Sequence, residues 1–152
     1  MNDRDIVERQ LGRAPRAFRR VTVRCPFAKP AVTEQAPFDA EGTPFPTQFW
    51  LTCPHLSAQL ARVEAAGGVE RWTAAAATDP ELRASLAQAH ADQRALRPEL
   101  PGGIGGAGRT GSLKCLHAHA AFALARPGYT LGDRILADAT PMWPSVTCCT
   151  SL

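Results

Sequence analysis

Only two of the 17 basic residues are lysine, Lys29 and Lys114, and the chain has one tyrosine and two methionines. No run of 18 apolar residues occurs, so the sequence offers no transmembrane helix. No apolar core follows Met1-Asn2-Asp3-Arg4-Asp5, as a signal peptide would require. The expectation is a cytoplasmic protein that does not enter a membrane. The net charge of +3 over 152 residues is too small to argue for nucleic acid. One denser basic stretch, Arg13, Arg16, Arg19, Arg20 and Arg24, suits an acidic protein partner or RNA, or else a solvated face. The five cysteines also lack the close pairing of compact zinc motifs, standing at 25, 53, 115, 148 and 149. In a reducing compartment they are not expected to form disulfides, which leaves metal binding, catalysis or burial.

What is present fits one domain. A chain of 16.3 kDa with 45% hydrophobic residues can bury a core unaided, while 13 prolines and 12 glycines imply many turns. Residues 3–11 place Ile6, Val7 and Leu11 on one helical face before Gly12 and Pro15. Residues 18–23 read as a strand running into Cys25-Pro26, residues 31–36 as a second, and 48–52 as a third ending at Cys53-Pro54. The period then becomes helical through Leu56, Leu60 and Val63, and Gly67-Gly68 reads as its end. A helix opens at Thr78 or Asp79 with Pro80 in its first turn and runs to Pro98. A glycine-rich loop to Gly111 precedes an alanine-rich helix over 113–126. The fold class is therefore α+β: a small antiparallel sheet from 18–52 packed on three to four helices, in one domain over 1–140. Residues 141–152 read as an irregular or disordered tail.

The chemistry-bearing signal is Cys25-Pro26, Cys53-Pro54 and Lys114-Cys115-Leu116-His117-Ala118-His119. On a helix Cys115 and His119 stand at i and i+4, a separation at which two side chains share an ion. If the two strand ends lie side by side, Cys25 and Cys53 supply further thiolates, so Cys25, Cys53, Cys115, His117 and His119 are the candidate ligands of zinc or an iron–sulfur cluster. The alternatives are a metal-free interaction or regulatory protein whose cysteines pack in the core, and a thiol-dependent enzyme. In the enzyme Cys53 or Cys115 would be the nucleophile, Lys114 or an adjacent protonated histidine would lower its pKa and His117 would act as base. His55 is expected to solvate a helix start and His90 to be exposed. Gly103-Ile104-Gly105-Gly106-Ala107-Gly108 matches G-x-G-x-x-G, but it follows prolines rather than a strand and reads as a loop. With Arg109 that loop could hold an anion or cover the histidine segment. Phe45, Phe49 and Trp50 read as core, and Cys148 and Cys149 are set aside with the tail.

Several of these stretches also carry a resemblance: Gly42-Thr43-Pro44-Phe45-Pro46-Thr47, Phe49-Trp50-Leu51-Thr52-Cys53-Pro54, Leu60-Ala61-Arg62-Val63-Glu64-Ala65-Ala66-Gly67 and Lys114-Cys115-Leu116-His117-Ala118. With Cys25-Pro26 and Gly132-Asp133, the chain resembles the uncharacterised actinobacterial family catalogued as domain of unknown function 501. The resemblance implies a cytoplasmic protein and supplies no activity. Tyr129-Thr130-Leu131-Gly132-Asp133 and the 103–108 loop depart from the usual form of that family.

Overall fold

Asn2 starts the first helix, α1 (Asp3–Leu11): its side chain accepts from the Asp5 N–H while Asp5 reaches back, and Gly12 closes the helix at φ 73°. A computed structural model describes residues 1–150. Three strands follow, β1 (Phe18–Arg24), β2 (Pro30–Gln35) and β3 (Phe49–Leu51), antiparallel in the order β1-β2-β3. The central strand β2 is buried throughout, whereas β1 turns its arginines outward. Four of the five clustered arginines meet carboxylates of this chain: Arg16 with Asp39 at 2.9 Å, Arg24 with Asp3 at 2.7 Å, and Arg20 and Arg19 with Glu34 at 2.5 and 3.8 Å. That stretch is largely neutralised within the fold.

Five more α-helices complete the chain: α2 (Pro54–Ala65), α3 (Gly68–Thr78), α4 (Pro80–Leu96), α5 (Leu116–Ala125) and α6 (Thr130–Asp138). The α+β architecture expected from the sequence is present, with six helices where three to four were expected. Gly67-Gly68 does end α2, but it also starts α3. Gly67 sits at φ 86°, and a Cβ on Gly68 would lie 2.6 Å from Val63, so the pair forms a tight corner between two helices. The other unexpected helix, α6, buries only Leu131, Gly132 and Ile135, too short a stripe to stand out in sequence. Its Gly132 lets it close on α5, since a Cβ there would be 2.6 Å from the Ala123 methyl. Between these neighbours and β3, α5 is buried on nearly every side, which is why it is alanine-rich with Leu116, Phe122 and Leu124 and has only His117 and His119 as polar residues.

His90 corrects the sequence reading: it is fully buried, not exposed. The glycine-rich loop covers it. The Ile104 N–H donates to His90 Nδ1 at 3.0 Å, Nε2 faces the Ser112 carbonyl at 3.2 Å, and Gly103 packs directly on the ring. A Cβ at Gly103 would fall 2.2 Å from Nδ1. Gly103→Ala should therefore force the loop off α4 and destabilise the protein by about 1–3 kcal/mol, the usual cost of overpacking a filled core. Urea unfolding followed by tryptophan fluorescence checks this; an unchanged midpoint would refute the packing.

Among the described residues no helix is long and apolar enough to cross a membrane. Residues after α6 form no helix or strand up to 150, yet Met142, Trp143 and Cys148 pack against the core. His55 Nε2 and Gln59 Nε2 both reach the Pro141 carbonyl, at 2.8 and 3.0 Å, fastening the start of this segment to α2. The remainder of the expected tail, 151–152, lies outside the described residues.

Candidate metal centre

The site grows from the junction of α2 and α5. Cys115 is the residue before α5 and extended (φ −149°, ψ 152°), so its side chain sits at the helix entrance. Burial and then the Glu64 charge push the thiol up, partly offset by the N–H groups of Ala118 and His117, which point toward the sulfur without reaching capping geometry. His117 is in the first turn of α5. Glu64 comes from the last turn of α2, where the helix dipole disfavours a carboxylate. Its compensation comes from α5: Oε2 accepts the otherwise unpaired Leu116 N–H at 2.7 Å, and Oε1 lies 3.3 Å from His117 Nδ1. The other ring nitrogen, Nε2, lies 3.1 Å from the Ser57 carbonyl.

One carboxylate oxygen of Glu64, the Cys115 sulfur and one His117 nitrogen all lie within 4.8 Å of one another. Among the described residues this is the one such group of three potential ligands. It borders a cavity of about 410 Å³ lined by Leu11, Phe49, Trp50 and Leu51, with Arg13 and Thr47 as its polar members and Ser57, Cys115, His117 and Ala118 completing the wall. Phe49 is core as expected, packing edge-on against Phe122, while Trp50 is half-buried and faces the cavity.

The ring geometry of His117 limits its chemistry. A carbonyl can only accept, so the Ser57 contact assigns a hydrogen to Nε2 and leaves the Nδ1 lone pair directed at the Glu64 carboxylate. Two acceptors facing each other at 3.3 Å need a cation between them, a proton or a metal.

Of the five expected ligands, the structure brings Cys115 and His117 together and adds Glu64, which no ligand spacing in the sequence singles out although it stands in the Leu60–Gly67 stretch. Cys25, Cys53 and His119 are not in that group. His119 faces the interior: it is fully buried, pairs through Nδ1 with the Tyr129 hydroxyl at 2.8 Å, and leaves Nε2 with no partner. Position i+4 from Cys115 fails because Cys115 precedes the helix rather than lying on its face. Cys53 is the residue before α2; burial pushes its thiol up to about 11, with Cys149 and Cys25 adding to the effect against the N–H groups of Leu56 and His55. Neither Cys53 nor Cys115 thus has the electropositive surroundings of a nucleophile. Lys114 Nζ lies beside Gly106, 4.0 Å from where a Cβ there would be.

Neither curated proteins nor solved structures yield a match to this chain. A family model does match, over residues 21–102, which takes in Cys25, Cys53 and Glu64 and more than half the sequence. The chain belongs to that family, described as protein of unknown function (DUF501).

Proposed function

We propose that the protein binds a divalent metal ion, zinc by ligand preference, through Glu64, Cys115 and His117. The observation that carries this reading is geometric: a Glu64 carboxylate oxygen, the Cys115 sulfur and a His117 nitrogen lie within 4.8 Å of one another, close enough for one ion to bridge them. A metal ion among the three would bridge His117 Nδ1 and Glu64 Oε1, 3.3 Å apart, and stabilise the Cys115 thiolate. The supporting contacts are those of a metal site: the Ser57 carbonyl fixes the histidine tautomer, and the Leu116 N–H holds the carboxylate. Three protein ligands leave a fourth position for water or a ligand, the arrangement of catalytic rather than structural zinc. Cys115 and His117 line an apolar cavity with one arginine, which suits a small, partly apolar molecule carrying an acceptor or negative charge. In a cytoplasmic setting the Cys115 thiol stays reduced and able to ligate.

The test is elemental analysis of protein purified without chelator, followed by zinc competition titrations. Wild type should carry zinc at this site. Cys115→Ser, His117→Gln and Glu64→Gln should each weaken it by more than the roughly 10–100-fold lost when a supporting residue is changed. Zinc binding unaffected by all three would refute the reading and leave the three side chains as a packing cluster.

A further inference from the structure

Of the five arginines in the basic stretch, Arg13 is the one that meets no carboxylate among the described residues. It also lines the cavity that Cys115 and His117 border. The chain fixes its place. Helix α1 ends on the half-buried Leu11, Gly12 turns the backbone at φ 73°, and Pro15 is buried, so Arg13 stands exposed between two anchored points. Its guanidinium N–H donors are therefore open to a ligand. Arg16 is committed elsewhere: it lines an adjoining recess of about 100 Å³, lies over the Phe45 ring at 5.2 Å and pairs with Asp39 at 2.9 Å. Phe45 in turn packs against Trp50 with ring centroids 5.3 Å apart, and Trp50 lines both spaces. The indole is thus held by a neighbour and forms a fixed apolar wall of the main cavity.

We propose that this cavity binds a small carboxylic acid with an apolar body, its carboxylate held by Arg13 and its body lying against Trp50, Leu11 and Leu51. The proposal deepens the zinc reading and rests on it for the charge at the Cys115 end. There a divalent ion is balanced by the Glu64 carboxylate and the Cys115 thiolate, which leaves Arg13 as the uncompensated charge of the cavity wall. A ligand with one negative charge neutralises it. A phosphate monoester carries close to two charges near pH 7 and overshoots it. Shape selects the same group, because the planar guanidinium fork matches a planar carboxylate through a pair of parallel hydrogen bonds. The apolar wall strengthens that ion pair by keeping water from it. A volume of about 410 Å³ stands near the lower end of the range for ligand sites, so the acid is a small one.

The test is titration of the full-length protein, zinc-loaded and chelator-treated, with 3-phenylpropanoate, its neutral amide 3-phenylpropanamide, and phenyl phosphate, followed by calorimetry and tryptophan fluorescence. Zinc-loaded wild type should bind the acid more tightly than the amide or the phosphate by roughly tenfold or more. Arg13→Gln should weaken the acid by on the order of 10–100-fold. Amide binding, zinc content and the urea midpoint should not change in that variant, since Arg13 is exposed and is not among the ion's ligands. Arg13→Lys keeps the charge without the fork and should recover part of the loss. Trp50→Phe, which retains Trp72 and Trp143, should bind the acid without the fluorescence change. The proposal is overturned if the amide binds as tightly as the acid, if Arg13→Gln binds the acid like wild type, or if the fluorescence change persists in Trp50→Phe. Tighter binding of phenyl phosphate would overturn it in favour of a phosphate ester. Arg13-dependent binding of the acid by protein that takes up no zinc would support the acid site while refuting the Glu64 reading. Zinc uptake at Glu64, Cys115 and His117 without acid binding would do the reverse.

Discussion

Acidification from pH 7 to pH 5 should lower the stability of the fold by about 2 kcal/mol through His119 alone, and by about 3 kcal/mol at pH 4. Burial, and secondarily His90, depresses the folded-state pKa of His119 to about 3. An unfolded histidine titrates near 6.5. Between those values the unfolded chain binds a proton that the folded chain does not, so stability falls as pH drops through 6.5 and levels off near 3. The structure supplies the reason: the ring is enclosed, its one partner is the Tyr129 hydroxyl, and a proton added to the ring would leave an N–H⁺ with no acceptor. His90, buried with its ring centroid 5.9 Å away, is lowered by its own desolvation and adds in the same direction. Urea midpoints measured from pH 4 to 8 on wild type and His119→Gln provide the check. The variant should lose most of the slope between pH 4 and 6.5; equal slopes in the two proteins would show that His119 titrates normally in the fold.

Local signals were readable where one residue type forces one conformation. Asp79-Pro80 starts α4 because an Asp cap and a first-turn proline suit nothing else so well, and the Cys25-Pro26 and Cys53-Pro54 steps do end strands that share β2. Of the candidate site, Cys115 and His117 were visible as ligand types at short separation. Glu64 was not, because its value as a ligand comes from the crossing of α2 and α5, and a glutamate near a helix end looks like a solvated charge. The same limit hid His90: nothing local announces that a loop 14 residues on will cover a mid-helix histidine, although the run of glycines is what lets backbone come so close. Cys148 and Cys149 were set aside for lying in a segment without periodicity. Yet Thr150 beside them meets Gln10 of α1 at 3.5 Å, a contact across 140 residues that no window of sequence contains.

Replacing Arg97 with alanine should destabilise the protein by about 2–4 kcal/mol, because it removes the donor that two interior carbonyls rely on and opens a cavity where the guanidinium stood. Arg97 follows α4 and is only 5% exposed. Its guanidinium donates to the Phe45 carbonyl at 2.8 Å and to the Gln35 carbonyl, and the buried Glu34 carboxylate acts on it. That carboxylate also accepts from Gln48 at 3.2 Å, and Gln48 accepts in turn from Gln93 of α4 at 2.8 Å. The seam joins α4 to β2 and to the segment before β3, and Glu34 is held from the other side by Arg20 and Arg19. Arg97→Ala leaves two carbonyls without donors and a cavity where the guanidinium stood. Arg97→Lys keeps the charge but has no planar fork for two divergent carbonyls, so it should recover only part of the loss. Since whole domains are stable by about 5–15 kcal/mol, the alanine variant should sit near the unfolding threshold at 37 °C. The seam also holds Phe45 and thereby the 44–47 segment whose Thr47 lines the cavity beside Cys115. Arg97→Ala should consequently weaken zinc retention at the Glu64 site as well, although Arg97 touches none of its ligands. Equal unfolding midpoints for wild type and Arg97→Ala would mean that the seam contributes no net stability, and the coupling to the cavity would fall with it.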